Sequence, residues 1–261
     1  MQMNKRFGIN GFTLKMLAVV TMLIDHIGAT IVERYLYEGY LYGIYLDESL
    51  WYQLEKLDYI LRAIGRIAFP IYCYLIVEGF LHTRSVKKYV LRLFGCALLS
   101  EIPFDLAFNE SLFWMDSNNV FWTLALGLLA ITGIDYVDKK YPLYNTQIRY
   151  GNLRRVILMA VTFLVPCVLA YVLHTDYSVA GILCIVIMYL ARRNKMLAVG
   201  LGVLELGLTC SELEFFAFVI LIPVYFYNGK QGPKAKWFFY LFYPVHLLIL
   251  SGICYGLGLG I

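Results

Sequence analysis

The chain has 261 residues, of which 61% are apolar and only 15% charged, with 22 lysines and arginines against 18 aspartates and glutamates. This balance excludes a soluble domain with a charged surface and gives an all-α, polytopic integral membrane protein. The net charge of +4 follows membrane topology, as its distribution below indicates, and not nucleic-acid binding.

The first apolar run, Thr13 to Val32, is long enough to cross a bilayer, and its helix carries Lys5, Arg6 and Lys15 before the apolar stretch. It is too long for a signal peptide and has no small-x-small cleavage site after it, so the expectation is a retained anchor. Asp25 and His26 sit side by side inside it. An ionised Asp at the centre of a membrane helix costs about 2.5–3.5 kcal/mol on insertion scales, so such residues usually face a protein interior and mark a functional site.

Further apolar windows place spans near 59–81, 87–108, 119–137, 154–173, 177–191, 196–209, 212–227 and 237–259. About nine transmembrane helices are therefore expected. The breaks between 177 and 227 rest on Arg192, Arg193, Lys195 and the Ser211–Glu214 stretch, and a re-entrant pair there would change the topology. With a cytoplasmic N-terminus, 18 of the 22 basic residues fall inside, leaving Arg34, Lys56, Arg62 and Arg66 outside. The segments 33–58, 109–118, 174–176 and 210–214 then face outward, as does the C-terminus. Six cysteines show neither CxxC nor Cys/His ligand spacing, so no disulfide framework and no metal site is expected.

Depth arithmetic brings the polar residues of different spans to one level. At about 1.5 Å per residue, His26 lies roughly 20 Å from the cytoplasmic face of a core about 30 Å thick. Glu101 reaches a similar depth in the third span, and Asp105 follows one turn later on the same face. Arg62 and Arg66, also one turn apart, enter from outside. Asp25, His26, Arg62, Arg66, Glu101 and Asp105 are therefore expected around an outward-facing polar cavity, with Asn118, Asn119 and Thr123 able to join. The plainer alternative is that the arginines pair with these carboxylates merely to hold helices together.

The last span carries Tyr243, Pro244 and His246, with His246 near the midplane. A lone His on an apolar helix is as readily a packed residue as a functional one. Below it stand Lys230, Lys234 and Lys236, and Arg84, Lys87, Lys88 and Arg92 form a second basic cluster on the same side. Most of these fit positive-inside topology. Arg92, a turn inside its span, is the best candidate for contacting the phosphates of a cytoplasmic nucleotide cofactor.

Five blocks in fixed order, LAVVTMLIDHIG at 17–28, RAIGRIAFPIYCYLIVEGFLHTRSVKKYVLRL at 62–93, SEIPFDLAF at 100–108, FWTLALGLL at 121–129 and NGKQGPKAKWFFYLFYPVHLLIL at 228–250, resemble the TraX family. That family takes its name from a conjugation protein that N-acetylates pilin. The resemblance implies one transmembrane acyltransferase-like domain over residues 1–261, in a bacterial cytoplasmic membrane, using acetyl-CoA as co-substrate. The acceptor would be a pilin-like protein or peptide N-terminus or a surface glycan, with N-acetylation favoured. The family is also similar to membrane acyltransferases whose first helix carries an essential His, a role that falls by position on His26.

On this reading His26 is the general base, and Asp25 or a third-span carboxylate fixes its tautomer. Arg62 or Arg66 binds the oxyanion or the acceptor, and Glu101 and Asp105 hold a cationic acceptor. Arg92, Lys87, Lys88, Tyr243 and His246 would bind acetyl-CoA, whose arm would thread up past His246. A covalent acetyl-His intermediate stays open. A proton-coupled transporter and a non-catalytic pilus-assembly protein are the competing readings.

Overall fold

The computed structural model describes residues 8–142 and 151–259. Lys5, Arg6 and Arg149 of the charge pattern lie outside the described residues. Among the described residues the regular elements are helices, and two isolated bridges, Ile9 with Tyr227 and Asn118 with Thr175, join extended segments.

Helix α1 (Gly11–Ile27) starts at Asn10, whose side chain accepts from the Thr13 amide at 3.0 Å. Its path runs on through π turns at Gly28–Val32 and Arg34–Glu38 and a short 3-10 turn at Gly39–Tyr42. Such wide turns recur at functional sites because they re-aim side chains. Helix α2 (Glu48–Gly65), capped by Asp47, precedes α3 (Ala68–His82). The span expected at 59–81 is thus two helices, because the chain turns at Arg66 and Ile67. The earlier start follows from an amphipathic Glu48–Leu57 stretch that a hydropathy window passes over.

Helices α4 (Val86–Phe108), α5 (Val120–Lys140) and α6 (Gly151–Val172) follow, then α7 (Ser178–Leu190) and α8 (Lys195–Thr209). A 3-10 segment, Glu212–Ile220, leads into α9 (Leu221–Phe226), and α10 (Lys236–Gly256) closes the bundle. Each element from α4 onward falls where an apolar run was expected. Among the described residues, five helical stretches are long and apolar enough to cross a membrane: Gly11–Tyr42, Glu48–His82, Val120–Lys140, Asn152–Val172 and Lys236–Gly256. Helix α7 is apolar but shorter, and α4 is interrupted by charge.

The core centres on α5 and α7, whose Leu128, Ile131, Ile182, Ile185 and Met188 are fully buried. Gly127 lets the two helices touch, since a β-carbon there would stand 2.3 Å from Ile185 Cδ1. Helix α6 is peripheral and turns Val161, Leu164, Val165 and Val168 outward, a face suited to lipid. All six cysteines are free thiols.

Loops sort onto two ends. At one, the Ile9 amide donates to Phe226 O, the Gly11 amide to Lys230 O, and Lys195 Nζ to the carbonyls of Tyr225 and Tyr227. At the other, the Asn118 amide donates to His174 O and the Asp176 amide to Asn118 O, while Arg34 pairs with Glu110 at 3.2 Å. These are the two sets of loops that the charge pattern separates.

Candidate active site

A cavity of about 370 Å³ opens at the second end, lined by Asp25, His26, Glu33, Arg34, Tyr37, Glu38, Arg62, Arg66, Phe104, Phe108, Asp176, Tyr177 and Tyr243. Four of the six residues expected there are present. The other two, Glu101 and Asp105, stand elsewhere. Glu101 Oε2 accepts from Asn119 Nδ2 and from Trp122 Nε1 at 2.7 Å, tying α4 to α5. Asp105 accepts the Trp114 amide at 2.9 Å and Asn109 Nδ2 at 3.2 Å, ordering the 109–118 loop. Thr123 likewise bonds to Thr175 and to the Asp176 carbonyl, below the cavity wall.

The arginines are held by carboxylates. Arg62 Nη1 lies 2.8 Å from Asp25 Oδ1, and its Nε lies 3.1 Å from Glu33. Arg66 lies 3.7 Å from Asp25 Oδ1 and 3.1 Å from Glu214 Oε1, and it donates to Tyr177 OH at 3.3 Å. Arg34 is buried and bonded to three carbonyls, those of Leu106, Ala107 and Leu259. Glu214, nearly inaccessible at 1% exposed, is a member of the site that the sequence did not suggest. The signal available was the second of two glutamates, Glu212 and Glu214, at the head of the apolar 212–227 run.

Asp176, in the loop between α6 and α7, belongs to the same wall. Burial of its carboxyl raises its pKa to about 6, with Arg66 pulling the other way.

His26 does not face Asp25. Its Nδ1 lies 2.6 Å from Nε2 of His246, and the two rings are parallel within 8° with centroids 4.9 Å apart. At that centroid separation nitrogens come this close only when each points straight at the other within one shared plane, which is hydrogen-bond geometry and not face-to-face stacking. Phe108 and Tyr243 close over the pair edge-on, at 5.3 and 5.9 Å from the His26 ring. His246 is 4% exposed and lines neither this cavity nor the larger one at the opposite end. Thr30 Oγ1 donates to the His26 carbonyl at 2.6 Å, where α1 widens into π turns.

A second cavity, about 710 Å³, opens at the opposite end and is lined by Lys15, Tyr72, Glu78, Arg92, Tyr240 and the Gly229–Lys236 loop, among others. Its inner wall is apolar, with Met22, Phe121 and Leu124. Tyr243 lines this cavity too, so one ring stands between the two. Arg92 Nε is buried with no partner among the described residues, a donor available to an anion. Lys87 and Lys88 are exposed and line neither cavity.

A membrane-type helical bundle with two cavities at opposite ends that share one tyrosine wall, with a histidine pair beside it, is the class that fold and site define. The chain belongs to the TraX family: the family model described as "TraX protein" matches residues 10–254. A probable fimbrial assembly protein FimC, serogroup H1, of Dichelobacter nodosus is 27% identical over 272 residues, covering 95% of this chain and 97% of that protein. No solved structure matches.

Proposed function

We propose that this protein is an acetyltransferase of a bacterial cytoplasmic membrane, with its N-terminus in the cytoplasm, moving acetyl from acetyl-CoA in the larger cavity to an acceptor in the smaller. The observation that carries this reading is the shared wall: the cavities meet at Tyr243, and His26 stands at that junction on the acceptor side. The larger cavity fits the donor. Lys15, Arg92, Lys234 and Lys236 supply cations for phosphates, and the apolar inner wall suits a pantetheine arm.

Acetyl-CoA supplies an activated thioester; the protein supplies the rest. His26 takes the proton of the acceptor amine or hydroxyl as it attacks the thioester carbonyl, and returns that proton to the coenzyme A sulfur released when the C–S bond breaks. Arg62 and Arg66 place positive charge beside the developing oxyanion. Phe104, Phe108 and Tyr243 limit water at the junction. The fimbrial name of the relative favours a pilin-like acceptor, consistent with N-acetylation.

The test is thiol release from acetyl-CoA by purified protein in nanodiscs, with N-terminal peptides as acceptors. Wild type should turn over, and His26→Ala should lose about 10²–10⁴-fold. The relative's name also favours a second reading, a non-catalytic partner in fimbrial assembly. Under it neither protein releases thiol, and His26→Ala leaves fimbriation intact in cells.

A further inference from the structure

We infer that His246 is a positioning residue that fixes the tautomer of His26, so that a backbone carbonyl on α10 decides which nitrogen of His26 acts as the base. The inference rests on the acetyltransferase reading for its catalytic meaning, while its structural half stands alone.

The assignment follows from donor and acceptor alternation. The carbonyl of Phe242 is an acceptor only, and His246 Nδ1 lies 2.8 Å from it, so Nδ1 carries a proton. In the neutral ring Nε2 is then bare. His26 Nδ1, 2.6 Å from that nitrogen and in line with it, is therefore the donor. This leaves Nε2 of His26 with a free lone pair, and among the described residues it has no hydrogen-bond partner. Free imidazoles favour the opposite tautomer, so the protein selects a minority form, and His246 is what selects it.

The usual orienting group for a catalytic histidine is a carboxylate. Here Asp25, Glu33 and Glu214 are paired with arginines, Glu101 bonds Asn119 and Trp122, and Asp105 bonds the 109–118 loop. When His26 accepts a proton at Nε2, its Nδ1–H already points at His246 Nε2. That proton can pass to His246, which keeps its own Nδ1–H on Phe242 O. The single positive charge is shared across two rings, and no other bond changes. His246 lines neither cavity, so it acts through His26 and not on a substrate.

The chain has only four histidines, so ¹⁵N-histidine solid-state spectra in lipid bilayers can be assigned with His82→Gln and His174→Gln. Wild-type His26 should appear with Nδ1 protonated and Nε2 bare, without any substrate. His246→Phe should return it to the Nε2–H form. His26 found as Nε2–H in wild type overturns the inference, whatever the enzyme assay gives.

In the assay, His246→Gln, whose amide oxygen can accept from His26 Nδ1–H, should keep kcat within about tenfold. His246→Phe should lose up to about 10⁴-fold in kcat, as a catalytic histidine left in the wrong tautomer does, with the KM for acetyl-CoA unchanged. A raised KM at unchanged kcat in both variants would make His246 a donor-binding residue and overturn the assignment.

Discussion

Gly65 and Asp25 lie closer than any side chain at position 65 would allow: a β-carbon there would stand 2.2 Å from both Cβ and Oδ1 of Asp25. The end of α2 thus presses bare backbone against the carboxylate that receives Arg62 and Arg66. Gly65→Ala should push Asp25 aside, cost about 1–3 kcal/mol as overpacking does, and lower turnover about a hundredfold. Gly200→Ala, on α8 with open space around it, is the control and should be neutral. Equal activity of the two variants would show that the Asp25 position does not matter to the reaction.

Glu214 is 1% exposed and has Arg66 as its ion-pair partner, which makes the pair sensitive to losing one member. Glu214→Leu leaves Arg66 with Asp25 alone and should destabilise the protein by about 3–5 kcal/mol, read as a lower midpoint in thermal unfolding. Adding Arg66→Met should restore much of the midpoint while abolishing turnover. A single variant as stable as wild type would mean that the pair is solvated in the membrane.

The larger cavity separates two groups of basic residues. Arg92→Ala and the pair Lys234→Ala with Lys236→Ala should each raise the KM for acetyl-CoA about tenfold or more, as loss of one charge-assisted phosphate contact does. Lys87→Ala with Lys88→Ala should not, because those exposed side chains do not line it. The reverse pattern would put the donor elsewhere.

Asp176 has its pKa lifted to about 6, so the smaller cavity, the proposed acceptor site, gains a negative charge as pH rises through that value. A cationic acceptor should then bind more tightly at pH 7 than at pH 5, and Asp176→Asn should flatten that dependence. The sign for stability runs the other way. A carboxyl with a raised folded pKa stabilises the fold below its unfolded pKa, and that contribution is lost as pH rises through 6. Acceptor KM against pH, with both proteins equally folded, is the check; parallel profiles would exclude Asp176 from acceptor binding.

Hydropathy and charge made the helix positions and the two sets of loops legible, and depth arithmetic brought Asp25, His26, Arg62 and Arg66 together correctly. What it left out was packing order. Glu101 and Asp105 sit at the expected depth, but α4 turns them to α5 and to its own following loop. His246 also sits at the right depth, yet nothing in one sequence says that α10 lies against α1. The break at Arg66 went unseen because Gly65 to Phe69 is apolar enough to pass for the middle of one span. Residues consumed locally and residues shared between helices look alike until neighbours are known.

The position of Tyr243 between the two cavities has an electrical consequence. If both cavities fill with water, most of the membrane potential falls across the thin layer of protein that contains this ring and the two imidazoles, and not over the full bilayer. Carrying one elementary charge through such a layer would take about 2.3 kcal/mol per 100 mV. On the proposed acetyltransferase reading, acetyl crosses this layer in exchange for a proton, a swap with no net charge and so no electrical work, while the phosphates that the field would drive stay on the side where they began.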